Sequence, residues 1–207
     1  PDTILLPEGT TSGKDILGFP LTHTNNGWLN LSSSGSQYVN AGSSSVLDDI
    51  YDNNMSVEAW IKPNGSTANM GIINKTTNAG QGWYLAFDSF SSSTWHLKFH
   101  AVHSGTSATS IKNNIISPDV WTHVVVTYGG IGTGADLYKN GVELSLDTDT
   151  PSVGAITTDG AVDVVIGTRY TASDYFDGSI DEVRIYDKIL SATEITKNYK
   201  HGLSKHS

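Results

Sequence analysis

The chain contains no cysteine. Neither a disulfide framework nor a thiolate zinc site can hold it together, so an apolar core must suffice. Basic residues are scarce: 12 Lys and Arg stand against 21 Asp and Glu among 207 residues, a formal charge of −9. Such a surface repels phosphate backbones and offers no basic stripe, which argues against nucleic acid as a partner. No apolar run approaches the ~18 residues of a membrane-spanning helix, so membrane insertion is not expected. The opening residues show no basic-then-apolar leader, and targeting information is expected to lie outside this chain.

What is present is turn chemistry. Twenty-one glycines join abundant Ser, Thr and Asn, and charged residues are only 16% of the chain, a composition that suits many short strands joined by many turns. Met55, Val57, Ala59 and Ile61 alternate with Ser56, Glu58 and Trp60 at the strand period of two. Pro63 removes a ladder donor and Asn64-Gly65 favours a turn, which ends that strand. Further strand-length runs fall at residues 71–74, 83–87, 95–102, 121–128, 135–138, 142–144 and 162–167. Asn140-Gly141 predicts a two-residue hairpin turn in which both residues take positive φ. Residues 89–94, 104–110 and 147–158 are polar and read as loops, and residues 1–28 as an irregular entry segment with brief apolar contacts at Ile16, Leu17 and Phe19. Only the end reads as helix, over residues 191–201: Ser191 and Glu194 form a capping box, Leu190 and Ile195 a staple, and Gly202 a stop. One domain over residues 1–207, an all-β antiparallel two-sheet sandwich with a short C-terminal helix, is the economical architecture.

Three segments in order carry a family resemblance. The first is Ser36-Gln37-Tyr38-Val39-Asn40-Ala41-Gly42 followed by Met55-Ser56-Val57-Glu58-Ala59-Trp60-Ile61-Lys62-Pro63. The second is Trp121-Thr122-His123-Val124-Val125-Val126-Thr127-Tyr128 leading to Leu137-Tyr138-Lys139-Asn140-Gly141. The third is Phe176-Asp177-Gly178-Ser179-Ile180-Asp181-Glu182-Val183-Arg184-Ile185-Tyr186, then Leu190-Ser191 and Glu194-Ile195. Together they resemble the laminin G-like branch of the concanavalin A-like lectin and glucanase superfamily. The resemblance implies a jelly-roll sandwich used as a carbohydrate-binding or adhesive module of secreted, cell-surface or virion proteins. It also implies a calcium ion near the junction of the chain ends, with Asp181 as ligand. The early loop here, Ser34-Gly35-Ser36-Gln37, departs from the acidic residues common in that family.

Fold does not fix function, so the site must be argued from residues. Trp60, Trp83 and Trp121 lie within strand patterns and are expected in the core. Trp28 and Trp95, with Tyr170 and Tyr175, lie beside polar loops where an exposed ring could stack on a pyranose. Residues 168–175 read as a loop in which Arg169 and Asp174 could grip sugar hydroxyls or pair with each other. His96 and His100 share one strand face and His103 the other, which disfavours a zinc triad, and His123 reads as structural. Glycoside hydrolysis needs two facing carboxylates. Asp181 and Glu182 are adjacent and point to opposite faces, and no lyase signature appears. The sequence therefore favours a non-catalytic glycan-binding module over an adhesive or decoration domain that contacts a surface-assembly protein, and both over a hydrolase or lyase.

Overall fold

The computed structural model describes residues 4–5, 27–65, 67–77, 80–170 and 173–207. In chain order the early strands are β1 (Ile4–Leu5), β2 (Leu29–Leu31), β3 (Val39–Gly42), β4 (Met55–Pro63), β5 (Met70–Thr77), β6 (Gln81–Ser91), β7 (Thr94–Ala101) and β8 (Ala108–Ile116). They are followed by β9 (Thr122–Tyr128), β10 (Ala135–Lys139), β11 (Val142–Glu143), β12 (Thr148–Thr150), β13 (Val164–Ile166), β14 (Thr168–Tyr170), β15 (Ser173–Tyr175), β16 (Gly178–Tyr186) and helix α1 (Ala192–Gly202). The first sheet runs β1-β16-β4-β9-β10-β11, with β2 also on β16; the second runs β12-β8-β7-β6-β5-β13-β3; β14 and β15 form a separate hairpin. Apart from Ile4–Leu5, the entry segment with Ile16, Leu17 and Phe19 lies outside the described residues.

Alternation explains the layering. Met55, Val57, Ala59 and Ile61 from β4 meet Trp83, Leu85 and Phe87 from β6 and Leu97 and Phe99 from β7 in one buried cluster between the sheets. Full burial of each of the Met, Val, Ile, Leu and Phe side chains among them contributes roughly 2 kcal/mol. The opposite face of β4 is not wet. Ser56, Glu58 and Trp60 are as buried as their neighbours, because α1 lies over them. Leu190 and Ile195 pack with Val125 and Tyr138 in a second, smaller cluster on that outer side. Trp60 is therefore buried beneath the helix and not between the sheets, stacked on His206 with centroids 4.3 Å apart.

The Asn140-Gly141 turn has φ of 51° and 79°, and Lys139 pairs with Val142 across it, as the sequence predicts. A second tight turn, at Ser92-Ser93, lies inside the expected 89–94 loop. Both serines take positive φ, and Ser91 pairs with Thr94. Two strands also occupy stretches assigned to loops: β8 begins at Ala108, and β12 pairs with it through Thr148, Asp149 and Thr150. Their inward positions are small or polar. The Ser110 hydroxyl donates to Asp149 Oδ1 and accepts from the Ala135 amide, both at 2.9 Å, so no apolar alternation marks the strand.

At α1 the capping box is complete. Ser191 Oγ accepts from the Glu194 amide, and Glu194 Oε2 accepts from the Ser191 amide at 2.8 Å. Ser191→Ala is expected to lower unfolding free energy by about 1 kcal/mol, measurable as a shift in the urea midpoint at unchanged slope. Gly202 does not act as the expected stop: it is the last helical residue and Leu203 caps the helix. Glycine is required there because a Cβ would lie 2.3 Å from Trp60 Nε1.

Candidate functional site

Residues 168–175 form the hairpin β14–β15, with Thr168 opposite Tyr175 and Tyr170 opposite Ser173. It folds back over the outer face of the second sheet at β5 and β6. Gly71 makes this approach possible, since a Cβ there would lie 1.9 Å from the Thr168 carbonyl carbon. The Asn74 side-chain amide donates to the Thr168 carbonyl and anchors the hairpin to β5.

This places Arg169 and Tyr170 against outward side chains of β6 and β7. The Arg169 guanidinium lies 5.8 Å from the Tyr84 ring centre and 5.1 Å from that of Tyr170, in cation–π range of both. Its Nη2 pairs with Asp174 and its Nη1 stands 3.5 Å from Asp88 Oδ1. Lys98 Nζ lies 3.1 Å from that same oxygen. Arg169 Nε is buried and has no hydrogen-bond partner among the described residues. Tyr84 stacks on His100 at 5.1 Å, and His100 Nδ1 sits 2.9 Å from the Thr109 hydroxyl. Burial, with Lys98 beside it, brings the His100 pKa down to about 4, so the ring is neutral near pH 7. Burial likewise pushes the Tyr84 hydroxyl well above the usual phenol range.

The expected site residues divide. Arg169, Tyr170 and Asp174 meet on this face, and Tyr175 sits on the returning strand with its ring 6.2 Å from Tyr38. Trp95 is a correction: it has no exposed surface. Its ring packs on Phe87 and Phe90 inside the core, and its Nε1 donates to the Thr67 carbonyl at 2.8 Å, so no face is free to stack on a sugar. Trp121 is the converse. It was expected in the core, yet it precedes β9 on the first sheet and is only half-buried, edge-on to Trp28 at 5.4 Å. Trp28 thus belongs to the first sheet, with Trp121 and His206, and not to the hairpin face.

Tyr84, Asp88, Lys98 and His100 were not anticipated. Their signal lay in the strands themselves: Tyr84 and Asp88 alternate with Trp83, Leu85 and Phe87, and His96, Lys98 and His100 alternate with Trp95, Leu97 and Phe99. A polar set at period two opposite a core set marks an outward face. His103 lies beyond the end of β7 and is buried, with Nδ1 donating to the Gly154 carbonyl at 3.0 Å and Nε2 2.8 Å from the Tyr128 hydroxyl.

Asp181 does not fit a calcium ligand. Its Oδ2 accepts from His206 Nε2 at 2.8 Å and lies 2.9 Å from Lys205 Nζ, while Oδ1 accepts from the Glu182 amide. Asp181, Glu182 and His206 do gather within 4.8 Å, but a hard cation wants a shell of oxygens, and here an ammonium and an imidazole stand in its place. Burial raises the Asp181 pKa, and the bonds from His206 and Lys205 more than offset it, leaving the carboxyl below its ordinary value.

No characterised protein sequence matches the chain closely enough to count as a relative. Solved structures do share the fold. The binding domain of botulinum neurotoxin serotype G is 17% identical with a TM-score of 0.65, over 98% of this chain and 45% of that one. The binding domain of botulinum neurotoxin DC in complex with SialylT is 15% identical at TM-score 0.62, over 97% and 46%. The chain therefore spans less than half of these toxin binding domains. Domain 4 of AbnA, a GH43 extracellular arabinanase from Geobacillus stearothermophilus, in complex with arabinotriose, is 19% identical at TM-score 0.59, over 89% of this chain and 84% of that one. A family model described as the concanavalin A-like lectin/glucanases superfamily matches residues 33–196. Two antiparallel sheets, the order of the three motifs and this match agree: the chain belongs to the concanavalin A-like lectin/glucanase superfamily, on its laminin G-like branch.

Proposed function

We propose that the chain is a non-catalytic carbohydrate-binding module that works outside the cell and takes its ligand on the outer face of the second sheet beside β14–β15. The observation that carries this reading is the Arg169 clamp: a guanidinium held by Asp88 and Asp174 beside the buried Tyr84 ring and the partly exposed Tyr170 ring, on a hairpin seated directly against rigid strands. Sugars combine apolar ring faces with hydroxyls, and such a mixture of rings and fixed polar groups recognises both. Similar structures with arabinotriose or SialylT bound lend support to a glycan ligand. Binding without catalysis is supported by the engagement of both carboxylates nearest the rings, Asp88 and Asp174, with one guanidinium. A hydrolytic pair needs separate roles as acid and as base or nucleophile. Among the described residues no helix is long and apolar enough to cross a membrane.

A glycan array probed with the wild-type chain and with Tyr170→Ala and Arg169→Ala tests the reading. Both variants are expected to weaken the best signal at least about tenfold, the equivalent of losing one ring or one charge-assisted contact. The melting temperature of Tyr170→Ala should stay close to that of the wild type, and Arg169→Ala, which strips the cation from two partly buried carboxylates, should melt lower while remaining folded at the assay temperature. Trp28→Ala, on the other sheet, should bind normally, and chelator should change nothing. An empty array with folded protein would refute the proposal.

A further inference from the structure

This inference rests on the carbohydrate-binding reading of the hairpin face and names the class of sugar. We infer that the site takes a neutral glycan and discriminates against sugars that carry carboxylate or sulfate. An anionic sugar is usually gripped by a free guanidinium fork, two parallel N–H groups meeting two oxygens. Arg169 has no open fork to offer. Nη2 pairs with Asp174 and Nη1 faces Asp88, Nε is buried with no partner among the described residues, and the second N–H of each Nη stands next to one of those carboxylates. The other cation on this face, Lys98, is tied to Asp88 as well. Two positive and two negative groups cancel, and His100 adds no charge near neutral pH because burial holds its pKa down to about 4. An acidic sugar would have to displace Asp88 or Asp174 from Arg169 and then lie beside the displaced carboxylate. The whole chain, at −9, repels it further.

A neutral sugar meets no such conflict. Asp88 Oδ2 and Asp174 Oδ1 have no hydrogen-bond partner among the described residues. Carboxylate oxygens only accept, and hydroxyl O–H groups are the donors they lack. The Tyr84 ring is buried against His100 and the guanidinium, so the platform beside the clamp is the partly exposed Tyr170 ring, on which a pyranose or furanose ring can rest.

The test is calorimetric titration of the full chain with matched oligosaccharides: lactose against sialyllactose, galactan against galacturonan fragments, and arabinotriose. Each is run at about 0.02 M and about 0.5 M salt, where screening differs several-fold. At least one neutral member is expected to bind about tenfold or more tightly than its acidic counterpart, with little salt dependence. Asp174→Asn, which releases one guanidinium edge, should shift the ratio toward the acidic member by about tenfold at low salt. Tighter binding of an acidic member to the wild type, weakened by salt and abolished by Arg169→Gln, would overturn the inference and leave the carbohydrate-binding reading intact. Absence of binding by every sugar, charged or not, would overturn both. Neutral binding that persists unchanged in Tyr170→Ala and Arg169→Ala would move the site elsewhere and overturn the inference too.

Discussion

Glu58→Ala is expected to lose about 3–5 kcal/mol of stability, because it removes the acceptor from a buried polar network and strands the donors. Glu58 is fully buried beneath α1. Its Oε1 accepts from Arg184 Nη1 and from the Tyr186 hydroxyl, each at 2.7 Å, and Asn198 of the helix donates to both oxygens. His123 Nε2 stands 3.4 Å from Oε2. Burial alone would raise the carboxyl pKa, but His123, Asn198 and Tyr186 outweigh it and bring the value down to about 2 from 4.5. A depressed carboxyl stabilises fully above its unfolded value and ceases to do so as pH falls through its folded one. The window therefore runs from about pH 4.5 down to about pH 2 and spans about 3 kcal/mol. Urea titrations across that window should show a shallower acid decline in Glu58→Gln than in the wild type. An equally steep decline in both would mean that other carboxylates carry it. Loosening of α1 should also disturb Trp60, so indole fluorescence should change before the sheets unfold.

Lys75→Met is expected to cost a similar about 3–5 kcal/mol at neutral pH, since it leaves a buried carboxylate without its cation. Lys75 points inward from β5 and is fully buried. Its Nζ donates to the Asp159 carbonyl at 2.6 Å, to Asp159 Oδ1 at 2.8 Å and to Asp48 Oδ1 at 3.1 Å. Asp159 is fully buried as well, exchanges backbone-to-carboxylate bonds with Asp49, and keeps Oδ2 unpartnered among the described residues. Burial raises the Asp159 pKa even with Lys75 present, so its charged form becomes a liability as pH rises. Without Lys75 that liability grows, and the variant should fall further behind the wild type at pH 8 than at pH 5. Adding Asp159→Asn, which keeps an oxygen for the Asp49 amide, should recover most of the loss in thermal melts. A double variant no more stable than the single one would show that Lys75 acts through packing alone.

The parts of the fold that could be read in the sequence are those where one physical rule suffices. Met55 to Ile61 alternate, Asn140-Gly141 can only turn one way, and Ser191 with Glu194 caps a helix whatever lies around it. The unread parts depend on which face of a strand meets the core. Trp95 follows a run of serines and looks peripheral, yet it shares the inward face of β7 with Leu97 and Phe99. Trp121 heads a strongly apolar strand and looks central, yet it stands on the outer side, edge-on to Trp28. The start of strand β8 escaped notice because its first inward residues, Ala108 and Ser110, are small or hydroxylated. Of the candidate site, Arg169, Tyr170 and Asp174 were visible as a local concentration of polar and aromatic groups. Tyr84, Asp88, Lys98 and His100 join them only because Gly71 lets the hairpin lie flat on the sheet. No local pattern announces such a contact across the fold.

The docking of α1 on the first sheet has a practical corollary. Strand β1 near the start of the chain pairs with β16, and the last residues pack against Trp60 and Asp181 a few residues along the same strand pair. A tether fused or coupled at either extremity would hold the protein by its back, leaving the Arg169 side turned outward and unobstructed for immobilised assays.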